Sequence, residues 1–306
     1  LHTIAVPGGG PVWAALILTR RPGPSPALTD TDPRPRSAPA TDEGWTDGTT
    51  PLMKTTLFGT PAAMKALLDA GADPNARNTE GTTALMWAAT RGLERVQLLL
   101  SRGAQPNVAD ARGFTPLMVA AGYSGHSDVV RRLLTAGAEV DALSTNNWSA
   151  LRDAAKGGDT TKLRLLLDSG AKLLVSQRNT NRMVFLAVTQ EDTAVLDLLL
   201  DRGLSPDHAA QDGHTGLMMA ASHGLEAPLR LLLRRGADPN LVERPTGMTA
   251  LMYAAVQDPG HDRLVRALVG AGARLDMKSS DGLTAADYAA KYAHAHLLEA
   301  LRAAQR

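Results

Sequence analysis

The chain returns to the same pattern about every 33 residues, and a period in that range excludes a single closed core. A unit so short buries its apolar face only against its neighbours, so the fold has to be a stack. Aligning on the leucine of each Thr-Pro-Leu or Thr-Ala-Leu triplet places Leu52, Leu85, Leu117, Leu151, Val184, Leu217, Leu251 and Ala286 in eight equivalent positions. In six copies two small residues follow three and four positions later, as in Ala88 and Ala89 or Ala120 and Ala121. That spacing puts all three side chains on one face of a short helix that a neighbour can approach closely. Thr115-Pro116 supplies a capping hydroxyl and then a proline where a missing N–H costs nothing, so the first helix of that copy starts there.

Glycines at Gly92, Gly125, Gly158, Gly224 and Gly260 predict a turn, and leucine pairs such as Leu99-Leu100 and Leu133-Leu134 predict a second helix. Gly71, Gly103, Gly137, Gly170, Gly203, Gly236 and Gly272 then stand where a helix ends in a left-handed residue. Polar stretches such as Ala72-Asp73-Pro74-Asn75, leading to Asn78-Thr79-Glu80-Gly81, read as turns projecting from the helix pair. An aromatic content of 4% suits short, close-packed helices, and a formal net charge of +1 does not call for a nucleic acid partner. With no cysteine, disulfides, thiolate zinc sites, a cysteine nucleophile and thioether-linked haem are excluded.

The pattern G-x-T-P-L-x-x-A-A, then G, then V-x-x-L-L-x-x-G-A-x-x-N-A, resembles the ankyrin repeat over residues 47–302. The resemblance implies an all-α solenoid of about eight helix-turn-helix repeats with projecting hairpin-like fingers. It also implies a protein partner held on the concave surface of finger tips and first-helix ends. Expected boundaries are 47–79, 80–111, 112–145, 146–178, 179–211, 212–245, 246–280 and 281–306. The Ala- and Arg-rich style is similar to bacterial ankyrin proteins, some of which accompany c-type cytochromes, although this chain has no haem attachment motif.

Residues 1–46 read as a disordered, Pro/Gly-rich tail that buries too little apolar area to offset its ordering entropy. Val12 to Leu18 is an apolar run with a small-residue stretch, Ala38-Pro39-Ala40, well beyond it. A damaged or truncated export signal is therefore the alternative reading of this segment, with a cytoplasmic location favoured over a periplasmic or secreted one. No later run reaches the roughly 20 residues of a membrane span.

Several positions depart from the family's pattern. Met53, Met86, Met118, Met218 and Met252 occupy the place of the usual histidine. Equivalent atoms of adjacent repeats lie roughly 10 Å apart, so no single ion bridges two thioethers, and packing is the expected role. Leucine-to-glycine spacing is 19 residues in most copies but 18, 20 and 21 in the second, third and seventh, changes assigned to the inter-helix loops. The fifth copy has Thr180 for the turn glycine, Met183-Val184 for Pro-Leu and Glu191 for the inter-helix glycine, which predicts a soft joint near residues 172–192. The eighth copy reads as the C-terminal cap, with Lys291, His294, Glu299 and Arg302 toward solvent.

The sequence carries no nucleophile elbow, zinc-protease, P-loop or dinucleotide motif. Neither the His214 and His223 pair nor the His294 and His296 pair brings a third ligand, and in His126-Ser127-Asp128 the serine or aspartate is expected to cap the following helix. No catalytic, cofactor or metal residues are therefore assigned. The expected function is a non-catalytic, monomeric protein-binding scaffold, with an exported accessory or inhibitory subunit, and then an unmarked hydrolase or metal-binding protein, as alternatives. Candidate contacts are Arg91, Arg112, Phe114, Tyr123, Trp148, Lys156, Gln190, His214 and His223, chosen because packing does not require them and because Tyr, Trp and Arg dominate interface energetics. Trp87 and Tyr253 are assigned to packing instead.

Overall fold

A computed structural model describes residues 47–173, 177–190, 192–244, 246–257 and 262–304, with the side chains of 177–182 excepted. The expectations for the tail at 1–46, for Glu191 and for the loop at Asp258-Pro259-Gly260 lie outside these residues. The chain divides into two compact units, one ending at Asp153 and the other beginning at Ala154.

The first unit contains three helix pairs: α1 (Pro51–Phe58) with α2 (Pro61–Asp69), α3 (Ala84–Ala88) with α4 (Leu93–Ser101), and α5 (Pro116–Gly122) with α6 (Ser127–Thr135). The unit boundary falls within α7 (Ala150–Lys156). The second unit continues with α8 (Thr160–Asp168), α9 (Gln177–Val188) with α10 (Ala194–Asp201), and α11 (Gly216–Ser222) with α12 (Glu226–Arg234). It ends with α13 (Ala250–Val256) and α14 (Asp262–Gly270), then α15 (Ala285–Lys291) and α16 (Ala295–Ala304). Among the described residues there is no extended strand, only an isolated bridge between Ala209 and Thr215.

The first helix of each pair is short because its ends are chemically marked. Thr50, Thr83, Thr115, Thr215, Thr249 and Thr284 each accept, through the side chain, the backbone N–H three residues on. Behind the cap, the aligned leucines are buried, as expected from their spacing, and so are the small pairs, except that in the C-terminal copy Ala289 is buried and Ala290 exposed. The methionine row is buried too, at no more than 2% exposure. In α11 and α13 the sulfur has a further role: Met218 and Met252 accept the N–H of Thr215 and Thr249 at 3.5 Å, closing a capping box with a thioether.

Side chains of one repeat finish the backbone of the one before it. Arg95 Nη2 donates to Gly59 O at 2.8 Å, Gln190 Nε2 to Ala155 O at 2.6 Å, and His294 Nδ1 bonds Ala255 O at 3.0 Å. Each reaches a carbonyl at the C-terminal end of a first helix, and Ala155 O also accepts the N–H of Gly158 at 3.1 Å. His294 is therefore half-buried and bonded, not turned to solvent as the sequence suggested. Between second-helix termini, Asn75 donates to Gly103 O and accepts from Gln105 N, and Asn107 repeats the pair with Gly137 O and Glu139 N. In the second unit Asn240 does the same with Gly272 O and Arg274 N. These asparagines are clamps between neighbours, a role not visible in their reading as turn residues.

Finger turns are also linked in series, by Ala111 N to Glu80 O at 2.8 Å and Thr145 N to Arg112 O at 2.9 Å in the first unit. Gly113 sits at φ +79°, and a Cβ there would lie 2.9 Å from the Cα of Ser144. In the fourth finger Asn147 takes the equivalent left-handed position at φ 58°.

Two local expectations are corrected. Neither Ser127 nor Asp128 caps α6: the cap residue is His126, whose ring bonds Ser124 O while Asp128 Oδ1 accepts Val129 N inside the first turn. The fifth copy has no finger turn at Thr180, because α9 runs continuously from Gln177 through that position. Without glycine or asparagine at the left-handed site, the helix extends backward where the other copies turn. Met183, Val184, Ala187 and Val188 are buried in it.

Leu133→Ala is expected to cost about 2–5 kcal/mol through cavity formation, and Gly113→Ala about 1–3 kcal/mol through backbone strain, both read by denaturant unfolding. At the C-terminal cap, Asp287 accepts from the backbone and hydroxyl of Thr284, which holds its carboxyl below the ordinary 3.8. A group with a lowered folded-state pKa contributes fully above its unfolded value, and the contribution fades as pH falls below it. The stability gap between wild type and Asp287→Asn should thus be widest near neutrality and shrink below pH 3.8.

Candidate functional site

In the first unit, the finger turns and the C-terminal ends of the first helices carry side chains that packing leaves at the surface. Asp110 shapes the third finger by accepting the N–H groups of Arg112 and Phe114 at 2.9 and 2.8 Å. That turn holds the Arg112 guanidinium 5.6 Å above the Phe114 ring, with Asp110 Oδ2 3.5 Å from Arg112 Nη2. The Phe114 ring meets Trp148 edge-on at 5.9 Å, and Arg152 covers the indole at 4.0 Å. Cation, two rings and second cation thus run across adjacent fingers into α7, an arrangement in which each cation faces a ring's negative π-surface. Phe114, however, is only 8% exposed, so its ring serves the junction between fingers and offers little area to a partner. Trp148 is half-buried in the same junction.

Tyr123 stands apart from that chain, directly after α5, with its ring edge-on to His126 at 5.8 Å. Burial pushes its phenol pKa up against the opposing pull of Arg91, so the hydroxyl stays protonated and able to donate. Arg91 is exposed at the end of the neighbouring α3. Phe58 occupies the same register at the end of α1 and is 65% exposed. The sequence contained the signal for Phe58, since it lies six positions after Leu52 as Arg91 does after Leu85 and Tyr123 after Leu117. Arg152 was missed because it occupies the buried methionine position of its copy.

The remaining candidates lie in the second unit and do not form one cluster. Lys156 is exposed, while Gln190 is held on Ala155 O. His223 is exposed and bonds Met219 O and the Ser222 hydroxyl through Nδ1. His214 meets the ring of Tyr253 edge-on at 5.3 Å, with Nδ1 3.7 Å from Glu243 Oε2, and the Tyr253 hydroxyl donates to that same carboxylate. The two histidines therefore take separate partners. Beside His214 runs an open groove of about 300 Å³ lined by Phe185, His208, Asp212 and Met219 among others, and burial lowers the His208 pKa. Lys162, in the core of the same unit, has Asp159 Oδ2 3.4 Å from its ammonium, and burial draws its pKa down despite that carboxylate. Among the described residues no three His, Asp or Glu side chains are grouped to hold a metal, and no helix is long and apolar enough to cross a membrane.

Helix pairs in series, joined by linked finger turns and clamped by cross-repeat asparagines, define a repeat protein of the helix-turn-helix solenoid class. The family model described as ankyrin repeats matches residues 28–110, 93–177, 184–279 and 217–305, and the chain belongs to the ankyrin-repeat family. It is similar to the crystal structure of the ankyrin repeat domain of Bcl-3, a member of the IkappaB protein family, with 27% identity and a TM-score of 0.60. That alignment covers 84% of this chain and 99% of the other. No curated protein matched the chain. Ankyrin repeats are in general protein-interaction modules, and the fold here is of that kind.

Phe114→Ala should cost about 3–5 kcal/mol, as a buried ring at a junction does, whereas Tyr123→Ala should cost about 1 kcal/mol or less. Equal shifts in thermal midpoint for the two variants would contradict this division between packing and surface.

Proposed function

We propose that the chain is a non-catalytic scaffold that binds a protein partner along its first-helix ends and fingers. One observation carries the reading. In most repeats the aligned apolar residue and the small pair behind it are buried, yet the position six residues after it holds Phe58, Arg91, Tyr123, Gly157, Gln190, His223, Gln257 and Tyr292 in turn. A column that changes chemistry at every step beside columns that do not is what recognition requires and packing does not. The chain acts as a monomer, and a net charge of +1 favours a protein over a polyanion.

Affinity capture with wild type against an Arg91→Ala, Tyr123→Ala double variant tests this. Captured partner should fall about tenfold or more while the melting temperature stays within a few degrees. Undiminished capture by the folded double variant would remove the first unit's face from the mechanism.

A further inference from the structure

In the second unit the finger turns form a series with an open end. Arg244 N donates to Asp212 O at 2.7 Å and Ser280 N to Thr246 O at 2.8 Å, so each turn offers one N–H backward to the turn before it. The corresponding group of the sixth copy is the Gln211 N–H. No turn stands there to meet it, because the finger positions of the fifth copy belong to α9, and among the described residues no carbonyl accepts this N–H. The turn that presents it is fully formed. Gly213 N donates to Ala210 O and Ala210 N to His214 O, both at 2.9 Å, the same bonds that close the third finger between Asp110 and Phe114. A second observation marks the same place. Phe185 occupies the methionine position of its copy; Met53, Met86, Met118, Met218 and Met252 are at most 2% exposed there, whereas Phe185 is 44% exposed. The groove of about 300 Å³ beside His214 has Val184 and Phe185 of α9 on one side and the turn from Ala210 to His214 on the other, so it fills the gap that the missing finger leaves.

The chain's own fingers show what fits such a gap. In the third finger Arg112 O accepts Thr145 N, Gly113 stands where a Cβ would come 2.9 Å from Ser144 Cα, and Phe114 packs edge-on against Trp148. Carbonyl, glycine and ring are consecutive residues of one turn. Trp148 lies three residues before its aligned Leu151, as His214 lies three before Leu217. We propose that the gap between α9 and the sixth finger receives a glycine turn of a partner protein, of the form Asp-x-x-Gly-aromatic. The carbonyl before the glycine accepts the Gln211 N–H, and the ring after it enters the groove between Phe185 and His214, beside the Met219 thioether. A phenyl ring, an imidazole and a thioether all favour contact with an aromatic ring, so the pocket selects the side chain while the main-chain bond sets the register. The aspartate accepts the N–H groups two and four residues on, as Asp110 does, so the turn arrives formed and loses little entropy on docking. This inference rests on the protein-binding reading and adds a site in the second unit.

The test uses the full chain and a fluorescent peptide, Cys-Asp-Ala-Arg-Gly-Phe-Cys, cyclised through its cysteines and followed by anisotropy. Saturable binding is expected, weakened about tenfold or more when the peptide's phenylalanine becomes serine or its glycine becomes alanine. Gln211 is the second residue of its turn, a position that accepts proline, so Gln211→Pro removes the N–H and keeps the turn. It should weaken binding about tenfold, while Gln211→Ala, which retains the N–H, binds as wild type does. Phe185→Ala should weaken binding by a similar factor with a melting temperature within a few degrees of wild type, and it decides the matter if the proline variant is unfolded. Absence of saturable binding, or equal binding by wild type and the folded variants, overturns the assignment. So does equally tight binding of N-acetylphenylalanine amide alone, which would make the groove a small-molecule site. Partner capture by the Arg91→Ala, Tyr123→Ala variant separates the two levels. A failed probe beside capture that still depends on those residues overturns the turn site and leaves the scaffold reading standing, whereas failure of both overturns both.

Discussion

Everything in this molecule depends on one repeat burying the face of the next. The small pairs after each aligned leucine, Ala88 and Ala89 or Ala254 and Ala255, let short helices approach until backbones almost touch, and those alanines are fully buried. A helix of five to eight residues has no stability of its own in water, so the contact with its neighbour is the source of its order. The leucines of the second helices, from Leu99 to Leu268, close the other side of the same contact.

Close approach creates a polar debt at the helix ends, and neighbouring repeats settle it. Arg95, Gln190 and His294 are unlike in chemistry, yet each bonds a carbonyl at the end of the preceding first helix. Asn75, Asn107 and Asn240 act similarly between second-helix termini. Such bonds add modest stability individually, but an unsatisfied buried carbonyl would cost more than the bond contributes, so they fix the register of the stack. Threonine caps and the methionine sulfurs that answer them do the same work within a repeat. A thioether is a weaker acceptor than an imidazole, but its flexible apolar chain fills the buried seam between repeats.

Much of the surface was legible as well, for the same geometric reason. The period identifies which positions face neighbours, and by subtraction which do not, and this placed Arg91 and Tyr123 where the structure has them. It failed where a side chain's role depends on a partner about one repeat away. Gln190 looked like a free polar residue and is a helix cap; Phe114 looked like a contact and is a buried junction with Trp148; Arg152 was passed over and covers an indole. The fifth copy shows the same limit. Loss of its turn glycine was plain in the sequence, but not that α9 would absorb the finger as extra helix.

By itself the sequence determined the class of fold, the number of repeats, the threonine-capped starts of the first helices and most of the buried columns, because these follow from periodicity and from caps that act within a few residues. Tertiary structure alone decided which polar groups are used up in holding repeats together and which remain for a partner. That division depends on distances between residues 28 to 39 positions apart, such as Asn75 with Gly103, Arg95 with Gly59 and His294 with Ala255. A repeating pattern specifies that such neighbours meet; only their geometry settles which donor reaches which acceptor.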